Sequence, residues 1–225
     1  MNSIGIAVRI IVPLLLLVSS AAYGAPAQEK DLTRLLQEGE TDIRKWNISG
    51  ASGKADTAIG LAETDEEKHD AYYLKAVTEY YRGNYGAARE YAEKTLKAVE
   101  PGEKGEGDGF MEFIQNSVLK KPAFNEVKSE HFTIRYANPK DYIIAEYGKD
   151  VLEKSRFEIG LDLEEYPGDP VIVEIYPDLE SFTAASTLPP ENVEKTGVVG
   201  ICKFIMMMIL SPRLLPKGYS WSDTL

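Results

Sequence analysis

The chain is poor in the residues that most often carry chemistry. It has one cysteine and two histidines in 225 residues. A single thiol, Cys202, cannot form an internal disulfide, so burial alone must hold the fold. Cys202 lies in an apolar run and is expected to be a buried, inert thiol. His69 sits in the charged stretch Glu66-Glu67-Lys68-His69-Asp70, and His131 precedes an apolar alternation far along the chain. They have no ligand spacing, so both are expected to be solvated or structural, and no metal site is assigned. Basic residues are also outnumbered, 25 against 36 acidic, for a net charge of −11. That balance argues against a nucleic-acid partner, whose phosphates need clustered Lys and Arg. Gly105-x-Gly107-x-Gly109 has neither a preceding strand nor a Lys-Ser/Thr, so it is no phosphate loop. The pairs Glu66-Glu67 and Glu164-Glu165 read as solvated faces rather than glycosidase acids. No catalytic residue is assigned.

The N-terminus has its own pattern. Arg9 is the only charged side chain before Glu29, and Ile10 to Ala22 is uncharged and mostly apolar. Small residues follow through Ala27. This is the layout of a secretory signal peptide over 1–24, cleaved after Gly24, with Ala27 as the alternative. The apolar run is short of the ~20 residues of a spanning helix and contains Pro13, so an uncleaved anchor is the weaker reading. The expectation is an exported protein, periplasmic or secreted, with no stable membrane insertion after cleavage.

Residues 100–109 hold four Gly, one Pro and four acids, a composition that suits a linker. Before this joint, over 25–99, the periodicity predicts helices at 31–46, 54–62 (weaker), 66–81 and 85–99. Within the last pair, Ala76, Tyr80, Gly83, Tyr85, Ala88, Ala92 and Leu96, with Pro101 beyond, resemble one tetratricopeptide repeat. Small residues let two helices approach closely, and Gly83 permits the tight turn. Lys75 and Thr95 depart from the pattern.

After the joint, over 110–225, the pattern is mixed. Helices are predicted at 110–119, 141–161 and 179–187, and strands at 131–136, 171–176, 198–204 and 205–210. On the long helix, Ile144, Tyr147, Val151, Ser155 and Ile159 share a face. The apolar run Ile205 to Leu210 reads as a strand covered on both faces. This order indicates a layered α+β or α/β architecture.

Several residues of this region together resemble the front half of a gluzincin-type zinc metallopeptidase, the peptidase MA-like kind. They are the strand-helix-strand unit from Phe132 to Tyr176, Tyr176-Pro177-Asp178 with Ser181-Phe182, and Gly197-Val198-Val199-Gly200. Ser211-Pro212-Arg213 and Gly218-Tyr219-x-Trp221-x-Asp223-Thr224-Leu225 complete the set. The resemblance implies an α+β chain of tetratricopeptide-like helical hairpins followed by an incomplete mixed α/β peptidase-like domain. It also implies that the edge strand Gly197, Val198, Val199, Gly200, Ile201 and Cys202 pairs with extended substrate. Zinc is expected only if the chain continues past Leu225, because these residues contain no His-Glu-x-x-His. Trp221 to Leu225 reads as a helix start with Ser222 or Asp223 as cap. The expectation is thus a metallopeptidase relative that has no hydrolase activity itself and takes a peptide or protein segment as partner. The rival reading is a complete, non-catalytic interaction module whose multi-Tyr helices offer a groove.

Overall fold

The computed structural model describes residues 27–99, 105 and 107–214. The signal-peptide reading, most of the 100–109 joint and the helix start at Trp221 lie outside the described residues.

Five helices come first: α1 (Ala27–Arg44), α2 (Ile48–Leu61), α3 (Asp65–Tyr81), α4 (Tyr85–Lys97) and α5 (Asp108–Lys120). Each packs on the next as far as α4, and α5 packs on α4. The short connections favour that order. A capping box starts α3: Glu67 N–H donates to Thr64 Oγ1 at 3.2 Å, and Thr64 N–H to Glu67 Oε2 at 2.9 Å. Its three first-turn acids suit the positive end of the helix dipole. Gly83, at φ 71°, ends α3 in the left-handed region, as the turn expected there requires. Ala76, Ala88 and Ala92 are fully buried, so small residues do line the closest approach. Helix α2 begins earlier than its periodicity predicts. Asn47 caps it, and the small side chains Ala51, Ser52, Ala55 and Ala58 are buried, so tertiary packing overrides the weak helix propensity of this Gly/Ser-rich stretch.

The remaining elements are β1 (Asn125–Lys128), β2 (Phe132–Tyr136), α6 (Tyr142–Leu163), β3 (Val171–Tyr176), α7 (Leu179–Ser186), α8 (Pro190–Thr196), β4 (Gly200–Lys203) and β5 (Met206–Leu210). They form a five-stranded sheet of order β1-β2-β3-β5-β4. Strands β2, β3 and β5 are parallel, and β1 and β4 are antiparallel edges. Every residue of β3 is buried, as expected for a central strand covered on both faces. On one face, Phe132, Ile134, Val173, Ile175 and Ile209 meet Ala145 and Leu152 of α6. On the other, Ile172, Tyr176, Met206, Met208 and Leu210 meet Tyr80, Ala88, Ala92, Met111, Ile114 and Phe182. That second cluster draws side chains from both sides of the 100–109 joint. The chain is therefore a mixed helix-and-sheet fold in which helices cover both sides of the sheet.

Four details differ from the expectation. The buried face of α6 is Ala145, Gly148, Leu152 and Gly160, whereas Tyr147 and Ile159 are exposed. Ala145 and Leu152 pack on the sheet and Gly160 lies under the Tyr166 ring, so the buried face of α6 is not its most apolar one. Strand β1, with one buried residue, and helix α8, which begins at Pro190 where a stop was expected, are additional. The strand expected over 198–204 is limited to Gly200–Lys203, because Phe204 and Ile205, at φ 55° and 60°, form a two-residue turn into β5. Finally, Cys202 is exposed, not buried. It lies on an edge strand opposite Met207, and α6 covers β1 and β2 rather than this end of the sheet.

Candidate functional site

The predicted substrate strand falls at the edge of the sheet. Gly197, at φ 67°, ends α8. Val198 and Val199 lead in, and Gly200, Ile201 and Cys202 lie in β4. Leu210 N–H donates to Val199 O at 2.8 Å, so Val199 and Leu210 form a hydrogen-bonded pair of the antiparallel ladder. Such pairs alternate with non-bonded ones. The backbone N–H and C=O of Gly200 and Cys202 therefore point away from β5, toward the outer side of β4. No described strand pairs with that side. Ile201 packs toward the helical core, while the Cys202 thiol lies on the opposite face of the strand. The arrangement can hydrogen-bond an added strand through two residues, and among the described residues it has no catalytic constellation poised over it.

A second constellation lies under the helices. Glu174, on the central strand, is fully buried. It accepts hydrogen bonds from Tyr85 Oη, from Tyr176 Oη at 2.5 Å and from Lys121 Nζ at 2.6 Å. Arg135 Nη1 lies 3.6 Å from it, and donates to Gly83 O at 3.0 Å. Burial pushes the Lys121 ammonium below the ordinary lysine range, against the pull of Glu174. Burial and the neighbouring carboxylate hold both phenols well above theirs, so they remain donors. The cluster joins α4, the end of α5, β2 and β3, and its carboxylate is sealed from solvent. Its chemistry is that of a polar pin between helices and sheet. A polar cleft of about 330 Å³, with Trp46, Tyr81, Arg82, Lys128 and Arg135 in its walls, opens beside it. Both of its carboxylates are engaged. Glu126 accepts from Arg135 Nε at 2.8 Å, and Asp169 accepts from Ser49 N–H at 2.9 Å at the start of α2. One sequence signal points to the pin: Glu174 is the only charge in the run Val-Ile-Val-Glu-Ile-Tyr. Nothing local in the sequence marks Lys121 or Tyr85 as its partners.

The histidines are committed elsewhere. His69 Nε2 is 3.1 Å from Asp108 and its Nδ1 is 3.0 Å from Asp70, while His131 Nδ1 is 2.8 Å from Glu153. Among the described residues no group of three His, Cys, Asp or Glu side chains is placed to hold a metal ion. Compared with known proteins, the chain matches no family model, no curated protein and no solved structure.

Proposed function

We propose that this chain is an exported, non-hydrolytic relative of the peptidase MA-like metallopeptidases that binds extended peptide along β4. The observation that carries the reading is the outward-facing backbone of Gly200 and Cys202 on an antiparallel edge strand beside parallel β5. An extended segment adds to such an edge by main-chain hydrogen bonds and is read by side-chain pockets. The non-hydrolytic reading rests on the sequence, since these residues contain no His-Glu-x-x-His. Export rests on the N-terminal pattern. No helix among the described residues is long and apolar enough to cross a membrane.

The test is binding of fluorescein-labelled, β-branched hexapeptides by anisotropy, for the purified chain and for Cys202→Pro. Proline removes one outward N–H and breaks no bond to β5. Binding weakened about tenfold in the variant, with no cleaved product, supports the reading, since one lost hydrogen bond is worth ~1 kcal/mol or more. Equal binding by both proteins, or no binding by either, sinks it.

The second reading, a tetratricopeptide-type interaction module, is favoured by the close approach of Ala76, Ala88 and Ala92 around Gly83. Tyr80 and Tyr85 are taken up in the core, so its groove rests on Tyr72 and Tyr91, whose rings lie 6.0 Å apart. Peptide capture that is lost in Tyr72→Ala but kept in Cys202→Pro selects this reading.

A further inference from the structure

Exposed large apolar side chains are not spread evenly over the molecule. Ile143, Tyr147, Phe157, Ile159, Leu161 and Leu163 all belong to α6. Four of them fall on one line. Ile143, Tyr147, Asp150, Lys154, Phe157 and Leu161 are spaced by four and three residues in alternation, the repeat of a coiled-coil seam. At 3.6 residues per turn this line lies half a turn from the buried Ala145, Gly148 and Leu152. It therefore faces directly away from the sheet. Ile143 is 75% exposed, Tyr147 54%, Phe157 58% and Leu161 56%, and Asp150 and Lys154 are exposed between them. The stripe runs along ~27 Å of helix at 1.5 Å per residue.

The stripe reads the same in both directions. From its midpoint at Leu152, an acid and a base stand two residues to either side, an aromatic ring five residues to either side, and a branched aliphatic nine residues to either side. When two such helices lie antiparallel, Asp150 of one copy meets Lys154 of the other, Tyr147 meets Phe157, and Ile143 meets Leu161. Each contact occurs twice, as a two-fold interface demands. A parallel pairing lacks this match, since it sets Asp150 against Asp150 and Lys154 against Lys154.

We propose that the outer face of α6 is a homodimer interface, occupied by α6 of a second copy of this chain in antiparallel register. Apolar pairs at the ends of the seam supply the attraction. The reciprocal charge pairs at its centre fix direction and register. One helix pair lies at the small end of specific interfaces, so association is expected in the micromolar range. The proposal uses neither β4 nor the peptide-binding reading and stands apart from it.

The test is sedimentation velocity of the purified chain from low to hundreds of micromolar, with reductant so that Cys202 does not cross-link. Asp150→Lys, Lys154→Asp and an equimolar mixture of the two are run alongside. The altered side chains are exposed, so the fold is kept, and circular dichroism checks this. The native chain is expected to reach twice the monomer mass. Each single reversal brings like charges together at both central contacts and is expected to weaken association tenfold or more. In the mixture, one variant presents two bases at the centre of the seam and the other presents two acids. Both central contacts of the mixed pair are then opposite in charge, so the dimer returns. A native chain that stays monomeric, a dimer indifferent to both reversals, or a mixture that fails to reassociate overturns the proposal.

Discussion

Lys121 Nζ and Glu174 Oε2 lie 2.6 Å apart with both side chains sealed from solvent. Lys121 follows α5 and Glu174 is at the centre of β3, so the pair fastens the helices to the sheet. Removing the Glu174 charge leaves Lys121 buried without its counter-charge, and removing Lys121 leaves Glu174 with Arg135 alone, 3.6 Å away; breaking such a buried pair costs ~3–5 kcal/mol. Lys121→Met and Glu174→Gln should each lower the stability measured by urea unfolding by about that much. The double variant should lose clearly less than the sum of the two. Additive losses in the double-mutant cycle would mean that the two groups are buried independently.

Glu153 makes the protein sensitive to acid. Burial raises its pKa, but hydrogen bonds from Ser129 Oγ at 2.6 Å, His131 N–H at 2.8 Å and the His131 ring outweigh this and bring it down to about 2. A depressed carboxyl pKa contributes stability that is present above the unfolded value near 4.5 and is lost as pH falls through about 2. Stability should therefore decline over that window, and Glu153→Gln should flatten the decline while lowering stability at neutral pH. Chemical denaturation at a series of pH values reads this directly. An unchanged slope in the variant rules the contribution out.

The legible parts of the fold are those where local signals and burial agree. The capping box of Thr64 and Glu67, the Gly83 turn and the apolar run of β3 each state their structure within a few residues. Lys75 and Thr95 depart from the repeat pattern for reasons visible only in three dimensions. Lys75 is buried between Asp56 at 2.8 Å and Glu79 at 3.0 Å, and Thr95 Oγ1 donates back to Tyr91 O at 2.9 Å. Strand β1 is hidden in the sequence because Asn-Glu-Val-Lys has one apolar residue and pairs on one side only. The face of α6 misleads because, Leu152 apart, its buried residues are Ala and Gly, while large apolar side chains point outward, unlike an ordinary amphipathic helix. At the candidate site, the sequence places a strand over 198–204, and the structure keeps Gly200–Lys203 of it. Which backbone groups of that strand point outward is not readable from it, because pairing register is a tertiary fact.

The turn between β4 and β5 is built from residues that resist it. Phe204 and Ile205 both have positive φ, where a side chain costs ~1–2 kcal/mol and a β-branched one is a strong outlier. Compensation comes from the Phe204 ring, which lies 5.1 Å from Phe113, 5.4 Å from Phe110 and 5.6 Å from Tyr80. Ile205→Gly should therefore stabilise the chain by roughly 0.5–1 kcal/mol, after the entropic cost of glycine is subtracted. Phe204→Gly should destabilise it by about 2 kcal/mol, because the ring contacts are lost. Thermal melting compares the two. A lower Tm for Ile205→Gly contradicts the assignment of strain.

Cys202 offers a direct probe of the edge. Its thiol is exposed on β4, so the native chain should react with a disulfide reagent to release one equivalent of chromophore without denaturant. A buried thiol would react only on unfolding. A peptide laid along β4 should slow this reaction, because an added strand crowds the side chains on both faces of its neighbour. The reaction rate, measured with increasing hexapeptide, should fall along a saturation curve with the same midpoint as the anisotropy titration. A rate that is fast but indifferent to bound peptide would keep the exposed edge and move the binding site elsewhere, to the Tyr72 and Tyr91 face of the helices.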